Sequence, residues 1–190
     1  MPYVCLVRHG QSFGNKHSLY SGRSEDHELT PLGVTQAETA GEQLAGYKFD
    51  EIHTSNLTRA IATAQIIKMK SLYPPQKWFI SESLNERFYG KVSGLERSIV
   101  EKEFGLTTVA SWSNTLNAAP PSGQNLFQVF SQVKEYFRKE LEPKIGHENL
   151  LIVSHMHITR SMMILLEGLP IAAMTSDEKI KNAEPILYEF

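Results

Sequence analysis

Short apolar runs alternate with longer amphipathic stretches along this chain. The runs at residues 3–7, 49–54 and 150–153 are rich in strand-forming residues and stop abruptly at polar residues, so they are predicted to be buried strands. Residues 78–81 are a weaker strand candidate, and residues 186–190 are expected to form an edge strand. The chain is therefore expected to contain a small sheet built from distant segments.

Stretches with helical spacing follow the first two of these strands and flank the third. Thr30 and Pro31 have the residue types of an N-cap and a first helical position, and they open a helix expected to end at residue 46. Ser55 and Asn56 are expected to cap a second helix, which continues until the Pro74–Pro75 pair. The other predicted helices occupy residues 126–142 and 158–166.

Strands that alternate with helices are typical of an α/β domain. We expect a three-layer sandwich, in which a mostly parallel central sheet is flanked by helices on both faces. A chain of 190 residues with 41% hydrophobic residues can close one core but is short for two domains, so residues 1–190 are expected to form a single domain. The only cysteine, Cys5, excludes an internal disulfide and is expected to be a buried apolar residue.

The charge balance excludes several classes of partner. Nineteen basic and 21 acidic side chains give a formal net charge of −2, which argues against a protein that binds nucleic acid or a membrane surface through overall positive charge. The N-terminal residues lack the features of a signal peptide, and no segment approaches the ~20 apolar residues of a membrane span. A cytoplasmic protein is the expectation, with no nucleic-acid or membrane partner.

Two of the predicted strands end in a histidine. His9 follows the first strand and His155 follows the strand at residues 150–153. Ligands of open α/β sheets bind beyond the carboxyl ends of the strands, so both imidazoles are expected in one cleft. Arg8, Arg59 and Arg87 lie at other strand-to-helix junctions, and a guanidinium group binds phosphate or carboxylate oxygens through two parallel hydrogen bonds. The pattern predicts an oxyanion site.

Two imidazoles and several guanidinium groups suit a phosphoryl group better than a cation. A neutral imidazole can attack phosphorus and form a phosphohistidine. Glu86 is the carboxyl group best placed to give and take the proton, provided that burial raises its pKa. Each residue alone also has a structural interpretation, as a polar strand end, a solvated turn or a surface charge.

The sequence His155-Met156-His157 permits a metal-site interpretation, since alternate residues of an extended chain can share one ion. No carboxylate or cysteine accompanies this pair, and no metal is predicted.

The combination of motifs is far more specific than any one residue. In chain order, the segments are LVRHGQS (6–12), LTPLGVTQA (29–37), TSNLTRAIATA (54–64), LNERFYGKVSG (84–94), PPSGQNL (120–126) and IVSHMHITR (152–160). Together they resemble the histidine phosphatase superfamily over nearly the whole chain. The closest branch is the cofactor-dependent phosphoglycerate mutases, which the tail NAEPILYEF also resembles.

The resemblance implies a role for each matching residue. His9 would be the phosphorylated nucleophile, surrounded by Arg8, Arg59 and His155, and Glu86 would be the proton donor and acceptor. Contacts with phosphate or the rest of the substrate are implied for Asn15, Ser21, Gly22, Arg87, Tyr89, Arg97 and the main-chain N–H of Met156. The resemblance also implies a phosphoglycerate-mutase-like fold and 2,3-bisphosphoglycerate as the priming cofactor.

Some positions depart from the mutase pattern. Between Gly105 and Pro120 the chain is shorter, and an arginine pair that helps to hold the second phosphate in that branch is missing. Met156-His157 replaces a usual Gly-Asn, which would narrow the pocket beside His155. A phosphoglycerate mutase is therefore the first hypothesis and a phosphomonoesterase the second. A non-catalytic phospholigand-binding domain is the third.

The expected partner is a small phosphorylated metabolite. The sequence is compatible with an oligomer but does not specify the oligomeric state.

Overall fold

The computed structural model describes residues 1–190 and contains one five-stranded sheet. The strand order is β3-β2-β4-β1-β5, and every neighbouring pair is parallel except β1 and β5, which are antiparallel. The strands are β1 (Tyr3–Arg8), β2 (Glu51–Thr54), β3 (Lys77–Ile80), β4 (Leu150–Ser154) and β5 (Pro185–Glu189). The mostly parallel sheet expected from the sequence is confirmed, and each predicted strand is present.

Seven α-helices surround the sheet. They are α1 (Phe13–Lys16), α2 (Pro31–Gln43), α3 (Thr58–Lys70), α4 (Arg97–Phe104), α5 (Leu106–Asn114), α6 (Leu126–Tyr136) and α7 (Met156–Glu167). A π-helical turn, Phe137–Leu141, continues α6. The helical stretch therefore extends beyond Tyr136, as the predicted helix over residues 126–142 required. None of the helices is both long enough and apolar enough to cross a lipid bilayer.

Alternate residues of β1 enter two different cores. Val4 and Leu6 pack with α6 and α7 on one face of the sheet, whereas Cys5 and Val7 pack with α2 and α3 on the other. Successive side chains of a strand point to opposite faces, so a fully apolar run is what a sheet covered on both sides requires. Helices α2 and α3 thus form one outer layer of the expected sandwich, and α6 and α7 form the other. Cys5 is buried as expected, and burial raises the pKa of its thiol to about 12.

The helix starts agree with the sequence at α2 and differ at α3. Thr30 Oγ1 accepts the N–H of Gly33, as expected of an N-cap. The capping prediction for Ser55 and Asn56 is wrong, because α3 begins at Thr58 and its N-cap, Leu57, has no capping side chain. The Asp26 carboxylate accepts the N–H of Thr58 instead, at 2.8 Å, and this distant residue was not visible to a local pattern.

Residues 89–118 fold into a part of the molecule for which the sequence predicted no element. Helices α4 and α5 cover a third, small core around Tyr20, Val100 and Trp112. Arg97 of α4 and Ser113 of α5 line the cleft described next.

Candidate active site

The carboxyl ends of the two central strands bring the two histidines together. Arg8 pairs with Ser154 in the parallel register of β1 and β4, so the next residue of each strand emerges at the same level. The ring centroids of His9 and His155 are 5.0 Å apart, with an interplanar angle of 60°. Both side chains are buried. The juxtaposition expected from the two strand ends is present.

His9 is held in one orientation by its own loop. Its Nδ1 atom lies 2.7 Å from the carbonyl oxygen of Gly10, which fixes the ring proton on Nδ1 because the carbonyl can only accept. The Nε2 atom makes no hydrogen bond with the protein and carries the free lone pair. Burial lowers the pKa of His9 well below its ordinary value, and the neighbouring His155, Arg59 and Arg8 lower it further.

His155 is oriented by Ser55. The Nε2 atom of His155 lies 2.7 Å from Ser55 Oγ, which also accepts the N–H of Leu57. With the Ser55 O–H assigned as the donor to His155 Nε2, the imidazole proton lies on Nδ1. His155 Nδ1 is buried and has no hydrogen-bond partner in the protein. A buried donor without a partner fits an anionic ligand.

Two arginines place positive charge beside these rings. Arg59 is buried, and its Nη2 atom donates to the carbonyl oxygen of Gly22 at 2.7 Å. Arg8 donates through Nη1 to the carbonyl oxygen of Ile180 at 2.7 Å, while its Nε atom is buried without a partner. Burial lowers the pKa of His155 as well, and the charge of Arg59 adds to the effect. Both imidazoles are therefore neutral in a positively charged surrounding.

Glu86 is buried beside the histidines, but its ionisation differs from the expectation. Its Oε1 atom accepts the N–H of Arg87 at 2.8 Å and lies 3.0 Å from Nδ1 of His157. Burial alone would raise the pKa of this carboxyl, yet His157 outweighs burial, the N–H of Arg87 adds to its effect, and together they hold the pKa well below its ordinary range. The expectation that burial raises the pKa of Glu86 is therefore wrong for the protein without substrate. The sequence did not reveal that the His157 imidazole lies beside Glu86.

A cleft of about 550 Å³ lies beside the ends of β1 and β4, and its lining does not include His9, His155, Arg59 or Glu86 themselves. Arg8 and Met156, the neighbours of His9 and His155 in sequence, both line it. Its other basic residues are Arg97, His157, Arg160 and Lys179. Asn15 lines the same cleft, whereas a larger cavity of about 630 Å³ between α7 and β5 contains none of the predicted site residues.

The remaining predicted residues are Ser21, Gly22 and Tyr89, and Gly22 is linked to the site through the hydrogen bond from Arg59 to its carbonyl oxygen. Ser21 Oγ is buried without a partner, like His155 Nδ1. Gly22 adopts a φ of +55°, and a Cβ atom there would lie 2.4 Å from the carbonyl oxygen of Arg87, so the backbone approach requires glycine. Burial raises the pKa of Tyr89 to about 12, which keeps its phenol protonated as a donor.

Sequence and structure comparisons agree with this geometry. Residues 4–190 match the histidine phosphatase superfamily (branch 1). The chain belongs to this superfamily. It is 38% identical to a 2,3-bisphosphoglycerate-dependent phosphoglycerate mutase of Bartonella bacilliformis, over 98% of this chain and 91% of that protein.

Two solved structures of phosphatases share the fold. The alpha-ribazole phosphatase of Shigella flexneri has a TM-score of 0.83 and 26% identity, and the match covers 97% of this chain and 89% of that one. A mycobacterial glucosyl-3-phosphoglycerate phosphatase has a TM-score of 0.82 and 25% identity, with 98% and 92% covered. The expected histidine phosphatase superfamily fold is confirmed.

Arg87 was predicted to contact substrate, but in the structure its guanidinium group binds main-chain carbonyl groups of the protein. Its Nε atom donates to the carbonyl oxygen of Gln124 and its Nη1 atom to that of Trp112, both at 2.7 Å, and Nη2 lies 3.4 Å from that of Ala118. The side chain is 1% exposed. In this member of the histidine phosphatase superfamily, the Arg87 guanidinium is occupied by main-chain carbonyl groups and ties the end of α5 and the segment after it to the site.

Several residues at the site were missed or misread in the sequence. Ser55 was expected to cap a helix but orients His155. Arg160 lines the cleft and donates to the carbonyl oxygen of Glu178, and Asn182 donates to that of His9 at 2.7 Å. These bonds, with that of Arg8 to Ile180, hold residues 176–182 beside the cleft. The only sequence signal was the polar character of a segment next to the last strand.

His157 was noted only as half of a metal-site pattern and as a departure from the mutases. It lies against Glu86, and no group of three or more histidine, cysteine or acidic residues is arranged to hold a metal ion.

Proposed function

We propose that this protein transfers a phosphoryl group through a phosphohistidine at His9, and that its reaction is the interconversion of 3- and 2-phosphoglycerate. The observation that carries the proposal is the His9 ring itself. It is neutral, its Nε2 lone pair is free, and it lies 5.0 Å from a second imidazole in a positively charged pocket. A nucleophile with this protonation needs no base to activate it.

The surrounding groups are suited to hold the transferred group. His155 Nδ1 and Arg8 Nε are buried donors without partners, and Arg59 adds a further positive charge. Donors fixed before the reaction stabilise the charge of the phosphoryl oxygens without reorganisation. In the first step, the His9 Nε2–P bond forms and the P–O bond to the substrate breaks.

Glu86 handles the proton in this proposal. Although its pKa is low without a ligand, a dianionic phosphoryl group beside it favours the protonated form, since like charges repel. The protonated carboxyl then gives its proton to the leaving alkoxide. The carboxylate takes a proton from the hydroxyl that attacks the phosphohistidine in the second step.

The mutase assignment rests on similarity to named mutases over the full chain. Bisphosphoglycerate would supply the phosphoryl group that primes His9, and Arg97, Arg160 and Lys179 line the part of the cleft where its second anionic group would lie. No step requires a metal ion, because arginines offset the phosphate charge.

A phosphatase is the second candidate function, and one feature favours it. Residues 105–120 contain no lysine or arginine, so this wall of the site offers no cation to a second phosphate. The two phosphatase structures share the fold. In a phosphatase, water replaces the sugar-acid hydroxyl as the group that attacks the phosphohistidine.

One experiment separates these functions. The protein is incubated with 2,3-bisphosphoglycerate and 3-phosphoglycerate, and the products are followed by phosphorus NMR. Formation of 2-phosphoglycerate without release of phosphate supports the mutase, and stoichiometric release of phosphate supports the phosphatase. If neither product forms and a panel of phosphomonoesters is also inert, the protein is a phospholigand-binding domain and the proposal is wrong.

A further inference from the structure

The two oxygens of the Glu86 carboxylate have different environments. Oε1 receives both of the hydrogen bonds that the protein makes to this group, from the N–H of Arg87 and from Nδ1 of His157. Oε2 has no hydrogen-bond partner in the protein. A carboxyl group that must exchange a proton with a ligand needs one free oxygen and one fixed oxygen, and the structure provides both.

His157 is well fixed for this contact. It occupies the second position of α7, its side chain is buried, and its carbonyl oxygen accepts the hydroxyl of Ser161 one turn later. The Nδ1–Oε1 distance of 3.0 Å is that of a hydrogen bond, which requires a proton on Nδ1 because the carboxylate only accepts. The ring also lines the cleft.

We propose that His157 is a positioning residue for Glu86: its Nδ1–H fixes Oε1, leaves Oε2 to exchange the proton, and keeps the carboxylate ionised until an anionic substrate enters. The consequence for catalysis rests on the proposed function. The contact and the ionisation do not, so they can be tested separately.

Other charged and titratable groups also face Glu86. They are His155 and Arg160 around α7, Arg8 at the end of β1, Arg59 on α3, and Arg87 and Tyr89 in its own segment. Of these side chains, only His157 is hydrogen-bonded to the carboxylate. His157 has the largest effect among the groups that lower the pKa of Glu86 against the effect of burial. Its removal is therefore expected to change the ionisation more than loss of a more distant charge.

The direct test is carbon NMR of glutamate carboxyl groups in the full-length protein, with the Glu86 signal assigned by Glu86→Gln. In the unmodified protein we expect Glu86 to titrate well below the ordinary range of a glutamate carboxyl. His157→Leu removes the donor at similar volume, and its Glu86 midpoint should move upward by at least about one pH unit. His157→Asn keeps a neutral donor near the position of Nδ1 and should restore part of the difference.

Thr159→Val is the matched control, because Thr159 is buried on the same helix and makes no hydrogen bond to Glu86. It should leave the midpoint unchanged. If His157→Leu does not fold, His157→Asn alone must raise the midpoint measurably. A midpoint that stays at the unmodified value in the folded variants overturns the proposal.

The catalytic consequence is measured on the phosphorylated protein. Breakdown of the phosphohistidine requires ionised Glu86, so in His157→Leu the acid limb of this rate should move to higher pH by the same amount as the NMR midpoint. If His9 is phosphorylated but the limb and the NMR midpoint do not move, the role of His157 is refuted. If the NMR midpoint moves but His9 is never phosphorylated, the proposed function fails and the positioning contact remains.

Discussion

His9 and His155 are 146 residues apart in the sequence, yet their ring centroids are only 5.0 Å apart. The parallel register of β1 and β4 brings them together, since Arg8 and Ser154 are paired partners and each histidine is the next residue. The neutral state of both rings follows from burial and from the adjacent guanidinium groups. The position of the two rings and their lowered pKa thus both follow from their burial at the carboxyl ends of β1 and β4.

The pH dependence of His9 phosphorylation should reflect this lowered pKa. A group whose pKa is lowered remains neutral, and therefore nucleophilic, well below its ordinary pKa near 6.5. The rate of phosphoenzyme formation with a phosphomonoester whose leaving group needs no proton should stay within about twofold between pH 7.5 and 5.5. Rapid-quench measurements would test this, and a tenfold fall centred near pH 6.5 would contradict it.

Ser55 should contribute to turnover without contacting the transferred group. Ser55→Ala removes the 2.7 Å bond to His155 Nε2, so the imidazole proton is no longer held on Nδ1 and the ring orientation is no longer fixed. We expect kcat to fall by about tenfold, which corresponds to the ~1–1.5 kcal/mol of one hydrogen bond. Ser83→Ala, a serine outside the site, is the control and should retain full activity; equal activity of the two variants would refute the orienting role.

Arg87 should matter for the stability of the segment after α5. Arg87→Lys cannot replace the bonds to three carbonyl groups of residues 112–124. The free energy of unfolding should fall by about 2–4 kcal/mol, and amide hydrogen exchange should accelerate within these residues. Arg138→Lys, at an exposed arginine, is the matched control. Unchanged exchange in the Arg87 variant would contradict the assigned role.

An ionic cluster around the buried carboxylate of Glu51 should influence stability in acid. Glu51 is bonded to Lys144 at 2.5 Å, to His53 at 3.0 Å and to Lys77 at 3.2 Å. Burial alone would raise the pKa of Glu51, but these three partners lower it to about 2. Because this pKa is lower in the folded protein than in the unfolded chain, the cluster stabilises the fold above about pH 4.5 and loses this effect as the pH falls towards 2.

Glu51→Gln should lower the free energy of unfolding by about 3 kcal/mol at pH 7, as measured by denaturant titration. The difference from the unmodified protein should shrink steadily between pH 5 and the lowest pH at which both fold. Glu103→Gln, at an exposed glutamate, should change stability by less than ~0.5 kcal/mol. A difference that does not depend on pH would show that Glu51 acts through packing alone.

Much of the fold and the centre of the site follow from local sequence patterns. Apolar runs predicted all five strands. The rule that ligands bind beyond the carboxyl ends of parallel strands predicted that His9 and His155 lie together, as they do in the structure. Strand-to-helix junctions also pointed to Arg59, and the resemblance to a family gave Arg59 and Glu86 their specific roles.

The parts that could not be predicted depend on contacts between distant residues. Asp26 caps α3 from another loop, and Ser55 is therefore released to bond His155. The low pKa of Glu86 comes from His157, on a different element. Arg87 looked like a ligand for an anion, but the carbonyl groups that it binds become neighbours only when residues 112–124 fold over it.

The proposed reaction depends on covalent transfer to one atom, Nε2 of His9. The most direct measurement is to mix the protein with bisphosphoglycerate, quench it at alkaline pH, where phosphohistidine is retained, and locate the added phosphoryl group by tandem mass spectrometry. We predict one acid-labile phosphoryl group per chain, on His9, and none in His9→Ala. Turnover of a phosphorylated substrate by His9→Ala at a rate comparable to the unmodified protein, or a phosphoryl group found on another residue, would contradict the account.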